Sequence, residues 1–476
     1  MDLSRILAAN IDGRTQNTRY RQSQLQKLQL ALVEHIADIQ DAIHSDSGHT
    51  RAEVRAEIVF ALQELRAHYS GLSLEKDLKA EYRIAHGKDN PDGARGVGIV
   101  YIVPSGHTPF FSIVSALSAA LAAGNCIVLE LPQTTSMLPA VLRNILPKAL
   151  DHDTFTIVAQ RPDASFLSKT LMVVQTGESY TGLVSPSNLR AVAIVDRTAD
   201  VVQAAEALVA ARFALGGRSA YSPDLVLVHE FVMKPFVEAV ITHAPKYLAG
   251  ENGEARTLSR KSNLLDTFQK ERTARVLVSG SNWGVVEVQD RKSSLLRRKI
   301  EEKVLLVHSV TSLDDAIDTR SVYPIFSHNG AENLSTETLA ATYAFAEPSS
   351  AKYLTQFIDA HVSWVNHVPS HMLIGPAIPQ GSPVTQTRYT KSQFEIPRPQ
   401  ILTPVLSPVE KILHSESKAD QIWREALAPL PSTNQRPGFK IGFFEQGIIT
   451  GGLITLGSLV ATASTLGYYT WTFIRA

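Results

Sequence analysis

The sequence predicts an α/β fold built on parallel sheets in two domains, followed by a separate apolar helix. Three observations predict it. Short β-rich runs alternate with helical patterns of roughly ten to fifteen residues, the signature of βαβ units. An amphipathic helical stretch covers residues 19–70 ahead of them. No residue between 446 and 474 carries a charge.

The elements follow in order. Leu25, Leu28, Leu32 and Ile36 recur at three- and four-residue spacing, and Ile58, Leu62 and Leu65 repeat the pattern, so both stripes need a partner surface. The polar stretch AEYRIAHGKDNPDGARG precedes the β-rich run VGIVYIVPS. SIVSALSAALAAGN is a helix of small residues stopped by Gly124 and Asn125. CIVLELP, TFTIVA and LMVVQTG are strands, with SMLPAVLRNILPKAL a helix among them. The second half repeats the theme with AVAIVD, VVQAAEALVAARFAL, DLVLVHE, FVMKPFVEAVITHAPKYL, KVLLVHSV and SLDDAIDT, and the crossover is expected over residues 196–216. Residues 397–438 hold a proline-rich run and a weak helix leading to the apolar segment.

Composition excludes several classes. A chain of 476 residues with 44% hydrophobic and 19% charged content is not wholly disordered. Lys plus Arg and Asp plus Glu number 46 each, so no basic excess points to nucleic acid. The single cysteine, Cys126, forms no intramolecular disulfide, and no Cys/His cluster has zinc spacing, so no metal is expected. The N-terminus lacks a long apolar run, which argues against a secretory signal.

The ordered runs GVGIVYIVPSGHTPF, AALAAGNCIVLELP, MVVQTG, AVAIVDRTADVVQAAEALVAARFALGGRSAYSPDLVLVHE and VSWVNHVPSH resemble the aldehyde dehydrogenase superfamily over residues 24–402. The closest resemblance is to its shorter, membrane-associated branch that includes fatty aldehyde dehydrogenases. The resemblance implies a Rossmann-like cofactor domain, a catalytic α/β domain and a dimerising β arm, for which AEYRIAH and EIPRPQILT are the expected strands. The expected division is 1–195 for N-terminal helices and cofactor domain, 196–385 for the catalytic-type domain, 386–405 for the arm, 406–441 for a linker and 442–474 for a transmembrane anchor.

The family's chemistry uses a thiolate nucleophile, an oxyanion held by a backbone N–H and an Asn, hydride transfer to nicotinamide, and a Glu that activates water. Residue by residue, the resemblance puts Ala220 at the nucleophile position and Pro186 at the general base, with Asn188 and Leu189 in place of the following glycines. The oxyanion Asn corresponds to His107, which can still donate a hydrogen bond to an oxyanion, or to Gly106 in the other register. The ribose-contacting lysine falls on Glu130 or Leu131, the serine-glutamate pair on Gln133 and Thr134, and a motif glutamate on Lys299. Gly177 survives where a pyrophosphate approaches backbone N–H groups, yet the chain from there to Ala193 is short, so the helix after that turn is expected to be missing. NAD or NADP is the cofactor the resemblance implies, and these losses weigh against its binding.

Other candidates have structural readings beside the functional ones. Ser219 and Ser222 flank Ala220 as replacement nucleophiles, but a serine needs an adjacent base. Cys126 reads as a core residue. His367 and His371 suggest a metal pair, but Pro369 interrupts the helix such a pair needs. Glu301 and Glu302 read as solvated charge.

The final apolar segment exceeds the roughly 20 residues that span a bilayer. Arg436 and Lys440 precede it, Arg475 follows it, and Tyr468, Tyr469 and Trp471 cluster near one end. Gly447 and Gly451 form a small-xxx-small pair suited to helix packing in lipid. A tail anchor with the body in the cytosol is the expectation; the resemblance implies the endoplasmic reticulum as its membrane, with the mitochondrial outer membrane and the peroxisome as alternatives. The expected protein is a lipid-bound scaffold or partner subunit with impaired catalysis, as a homodimer or a heteromer with an active aldehyde dehydrogenase. The alternative is an NAD(P)-dependent oxidoreductase that oxidises a lipophilic aldehyde by an altered mechanism.

Overall fold

A computed structural model describes residues 3–178, 180–244, 274–280, 283–320, 325–326, 332–333, 338–402, 409, 412–413, 416–435 and 443–475. The cationic residues Arg436 and Lys440 lie outside the described residues, as do residues 406–408, 410–411, 414–415 and 436–441 of the expected linker. The chain divides into two units, residues 1–403 and 404–476.

In the first unit, helices α1 (Ser4–Asp12), α2 (Thr18–Glu34), α3 (Ile36–Ser47), α4 (Arg51–Ser70) and α5 (Leu74–Glu81) precede the sheets. The long ones begin at side-chain caps. Asn17 accepts from the N–H groups of Arg19 and Tyr20, and Thr50 and Glu53 form a capping box. The leucine stripe of α2 is fully buried, with Leu25, Leu28 and Leu32 at 0% exposure.

Sixteen described strands follow: β1 (Ala94–Gly96), β2 (Ile99–Val103), β3 (Cys126–Glu130), β4 (Phe155–Val158), β5 (Leu171–Val174), β6 (Gly182–Val184), β7 (Ala191–Val195), β8 (Leu225–His229), β9 (Ala274–Ser279), β10 (Gly284–Val288), β11 (Val304–Val310), β12 (Ile325–Phe326), β13 (Glu332–Asn333), β14 (Ala341–Phe345), β15 (Ser363–Val365) and β16 (Glu395–Pro397). They are interleaved with α6 (Pro109–Ala122), α7 (Met137–Ala149), α8 (Ala164–Leu167), α9 (Val201–Phe213) and α10 (Glu230–His243). Strands β2 to β6 form a parallel sheet in the order β4-β3-β2-β5-β6. A seven-stranded sheet runs β15-β14-β7-β8-β11-β10-β9, parallel except for the β9 edge. Near-continuous burial of β2, β7 and β8 explains their unbroken apolar sequences, since parallel strands are covered on both faces.

Three differences from the sequence reading emerge. AEYRIAH is not an arm strand. It closes α5 and continues as a 3-10 turn, Ile84–His86, and the strand that pairs antiparallel with β16 is β1. The local cause is helical: Ser73 caps α5, and the backbone N–H of Tyr82 still bonds back to Leu78. The passage between the two sheets lies at 185–190, ahead of the expected 195/196 boundary, because β7 already pairs with β8 and β14. The edge strands β9 and β15 carry too weak an alternation to stand out in the sequence.

In the second unit, a helix spans Glu416–Leu427 and another Phe443–Arg475. Within the latter, residues 445–472 form one stretch long and apolar enough to cross a membrane, with a mean hydropathy of 1.5 in its most apolar window.

Candidate functional site

Two places in the first unit merit description: the C-terminal edge of the five-stranded sheet, and the turn that enters β8. In the first, the strand order reverses at β2, so the crevice between the ends of β2 and β5 is where doubly wound sheets bind ligands. Gln175, just past β5 and 3% exposed, spans that crevice. Its carbonyl oxygen accepts from Ser105 N at 3.0 Å, and its amide donates to Ser112 O at 2.9 Å.

Beside it, Glu130 ends β3. Tyr101 donates its hydroxyl to the Glu130 carboxylate at 2.6 Å, and Arg161 donates to it at 3.0 and 3.3 Å. Arg161 also reaches Glu178 at 2.8 Å and the Tyr180 hydroxyl at 2.6 Å, with its guanidinium 5.2 Å from the Tyr180 ring centroid. Hydrogen bonds to Glu130, then to Glu178, hold the guanidinium protonated. Two carboxylates and one cation thus cover the strand ends with a surplus negative charge.

Gly177 has φ +80°, and a Cβ there would lie 2.0 Å from Ser187 Oγ. Its glycine is therefore required by the close approach of the 185–188 segment. Only a seven-residue connection separates β5 from β6, and no helix occurs among its described residues. The sequence expectation of a missing helix is met in the fold.

The second place is built from the end of α9. Leu215, Gly216 and Gly217 all have positive φ, 50°, 72° and 73°. For Leu215 this is a strained conformation, stabilised by its N–H donating to Glu53 at 2.6 Å. A Cβ at Gly217 would meet Glu302 O at 2.7 Å. The chain then presents Ser219, Ala220, Tyr221 and Ser222. Ser219 is 1% exposed, and its hydroxyl oxygen accepts from Tyr221 N at 3.2 Å. Ser222 is fully buried and donates to Ala211 O at 2.7 Å. Among the described residues no imidazole or carboxylate bonds either serine. Ala220 is partly exposed, and Pro186, half-buried after β6, offers no titratable atom.

Beneath Ala220 lies a buried charge group that sequence reasoning missed. Arg212 and Asp224 are both 0% exposed at the side chain and 3.5 Å apart. The Arg212 guanidinium donates to the carbonyls of Gly217, Pro223, Ile300 and Glu302 at 2.5–3.3 Å. Asp224 accepts from Ala191 N, Ile300 N and Lys299 Nζ at 2.8, 2.9 and 2.9 Å. Lys299 Nζ donates further to Ala220 O at 3.0 Å. Burial pushes the Lys299 ammonium below its usual range, against the pull of Asp224 and with help from Arg212.

His107 sits past β2. Its Nε2 lies 2.8 Å from Leu373 O, which can only accept, so that nitrogen carries the proton. Burial lowers its pKa to about 4, which keeps the ring neutral and its one N–H committed to Leu373. Thr108 follows at φ 42°, and α6 begins at Pro109, where Glu57 accepts from Phe110 N and Phe111 N at 3.0 and 3.3 Å. Glu57 is 0% exposed, and burial raises its pKa to about 7.

A cleft of about 340 Å³ opens alongside, lined by Phe60, Phe111, His371, Met372, Ile378 and Arg388 among others. Its wall touches the β8 turn, since Ile378 N donates to the Tyr221 hydroxyl at 2.9 Å and the Arg388 guanidinium lies 5.6 Å from the Tyr221 ring. Cys126 lies elsewhere, fully buried on β3, its thiol pushed up to about 12 by burial. His367 and His371 do not converge. His367 bonds Val365 O, and Asn366 clasps both backbone groups of Ala346, at 2.9 and 3.0 Å.

Comparison with known proteins bears on this geometry. A model described as the aldehyde dehydrogenase family matches residues 9–174. Aldehyde dehydrogenase family 3 member B1 of Mus musculus is 24% identical over 352 residues, 66% of this chain and 74% of that one. The dimeric NADP-preferring aldehyde dehydrogenase of Mus musculus is 22% identical, over 64% of this chain and 74% of its own. The structure of the substrate-bound state of Staphylococcus aureus AldH superposes with a TM-score of 0.68 at 18% identity, covering 89% of this chain and 98% of that one.

Proposed function

Because the chain belongs to the aldehyde dehydrogenase family, we propose that it is a membrane-held member that no longer oxidises aldehydes and acts as a scaffold or partner subunit. The observation that carries this reading is Ala220, a methyl at the turn where the family resemblance expects a thiolate, with both flanking serines buried and without a base. Losing a nucleophile that works as a unit with its base costs on the order of 10⁴ to 10⁶ in rate, roughly 5 to 8 kcal/mol. No neighbour recovers that factor.

The residues do not fit a dinucleotide. Glu130 and Glu178 put negative charge beside the crevice, where phosphates need donors, Gln175 bridges it, and the turn after β5 offers no helix N-terminus among its described residues. Lipophilic aldehydes remain the ligand class that the apolar cleft beside Tyr221 suits. The apolar helix holds the protein in a bilayer, with the endoplasmic reticulum as its membrane and the body on the cytosolic side. The β1–β16 pair is the arm through which it forms a homodimer, or a heteromer with an active aldehyde dehydrogenase.

The test is thermal unfolding of the full chain in detergent micelles with NAD or NADP at millimolar concentration, alongside turnover of decanal. A ligand at 100 times its Kd stabilises by about 2.7 kcal/mol, so a bound dinucleotide is readily seen. The expected result is an unchanged transition and no reduced cofactor. A dinucleotide-dependent shift with carboxylic acid production overturns the reading.

A further inference from the structure

We propose that Lys299 captures aldehydes covalently, as a reversible imine, at the open turn beside Ala220. The inference goes beyond the reading above and does not depend on it, since imine formation uses neither a dinucleotide nor a thiolate.

Counting charge leads to it. Asp224 is the one fully buried carboxylate, shared by two cations, Arg212 at 3.5 Å and Lys299 at 2.9 Å; Glu301, exposed, and Glu302, half-buried and paired with Arg298, face the group from outside. A buried charge without a partner is expensive, and arginine does not give up its proton in proteins. The surplus is removed most cheaply by a neutral Lys299. Hydrogen bonding agrees. A neutral amine has two N–H donors, and Lys299 Nζ makes two bonds, to Asp224 and to Ala220 O. The fourth tetrahedral position is then a lone pair directed away from both acceptors.

Access completes the geometry. The Lys299 side chain keeps 16% of its surface exposed, and Ala220, whose backbone oxygen accepts from the amine, is partly exposed. Neutral amines in apolar surroundings are the lysines that form Schiff bases. The lone pair attacks the aldehyde carbon and the carbonyl π pair moves to oxygen. Proton transfer from nitrogen to that oxygen gives a carbinolamine. Loss of water leaves the C=N bond, the two amine hydrogens departing with the aldehyde oxygen. No oxidant or reductant takes part, and water reverses the reaction. The protein would thereby hold and release a reactive aldehyde at a membrane surface without changing its oxidation state.

The test treats the full chain in detergent micelles with decanal and sodium cyanoborohydride at pH 7, followed by peptide mass mapping. Only about 1 in 2,500 of an exposed lysine is neutral at pH 7, so exposed lysines label slowly. The expected result is one dominant decyl adduct on Lys299, at least about tenfold above any other lysine, with the contrast fading towards pH 10 as the rest deprotonate. Lys299→Arg, with its fold checked by circular dichroism, loses the adduct. Ala220→Val keeps the amine but shields it, and reduces labelling severalfold. Because the map of the unmutated chain identifies the labelled lysine, the test does not depend on the variants folding. Labelling that leaves Lys299 unmodified, or spreads over lysines according to exposure, overturns the proposal and leaves Lys299 as an ion-pair partner of Asp224. Failure here is independent of the dehydrogenase assay, which reads acid and reduced cofactor.

Discussion

Glu57→Gln is expected to flatten the pH dependence of stability between pH 5 and 8. The carboxyl group is 0% exposed, accepts two backbone N–H bonds through Oε1, and leaves Oε2 without a partner. Burial is the dominant cause of its raised pKa, about 7 against an ordinary 4.5, and the two backbone bonds only partly oppose it. A group whose folded pKa lies above its unfolded one contributes stability that is fully present below the unfolded value. That contribution is lost as pH rises through the folded value. The gap between 4.5 and about 7, at about 1.4 kcal/mol per pH unit, amounts to about 3 kcal/mol. Glutamine keeps the acceptor for Phe110 and Phe111 and does not titrate. Its NH₂ replaces the unpartnered oxygen at a constant cost of about 1–3 kcal/mol. The variant therefore starts below the wild type at pH 5, gains on it up to about pH 7 and levels off towards pH 8. Urea unfolding of both full-length proteins in the same micelles at four pH values reads the difference, and the shared histidines cancel. A difference that stays constant across the range refutes the reasoning, because Glu57 would then be ionised, or protonated, throughout.

Other substitutions read other parts of the structure. Arg212→Met leaves Asp224 with Lys299 alone and strips donors from four carbonyls, and is expected to cost about 3–5 kcal/mol in urea unfolding. Gly217→Ala forces a Cβ to 2.7 Å from Glu302 O at φ 73°, and is expected to cost more than the ~1 kcal/mol of an unstrained glycine replacement. Ala220→Cys combined with Pro186→Glu is expected to show no decanal oxidation with NAD or NADP, since the crevice bridged by Gln175 is untouched; acid production at ordinary turnover contradicts the misfit. Deleting residues 443–476 is expected to abolish co-flotation with phospholipid vesicles, which the full chain retains.

The fold was legible where a single strand or helix carries its own pattern. The buried strands β2, β3, β7 and β8 have nearly unbroken apolar runs, and α2 and α4 carry both stripe and cap. Legibility failed where pairing is non-local. AEYRIAH has the look of an edge strand, but Ser73 starts a helix that runs into it, and β1 takes the place beside β16. The N-terminal helix α1 has no legible stripe, because only Ile6 and Ala9 are buried on its short length.

The candidate site divides along the same line. Ala220 and Pro186 stand out because a missing atom is visible in one residue at a time. The shortened stretch after Gly177 is likewise a count of residues, and the fold bears it out with a direct β5-to-β6 connection. What remained hidden was made of residues far apart in the chain. Asp224 and Lys299 are 75 positions apart, and Glu130 meets Arg161 across 31. No spacing rule joins such pairs, and each residue alone reads as ordinary surface charge. Yet these pairs decide the chemistry. One sets two carboxylates and an arginine at the strand ends of the five-stranded sheet, and the other sets Lys299 against a carboxylate that already has Arg212. The charge group beneath Ala220 is fully hydrogen-bonded: removing Arg212 or Asp224 would leave the remaining charge poorly compensated, at a cost of several kcal/mol to the whole fold, whereas here each has its partners.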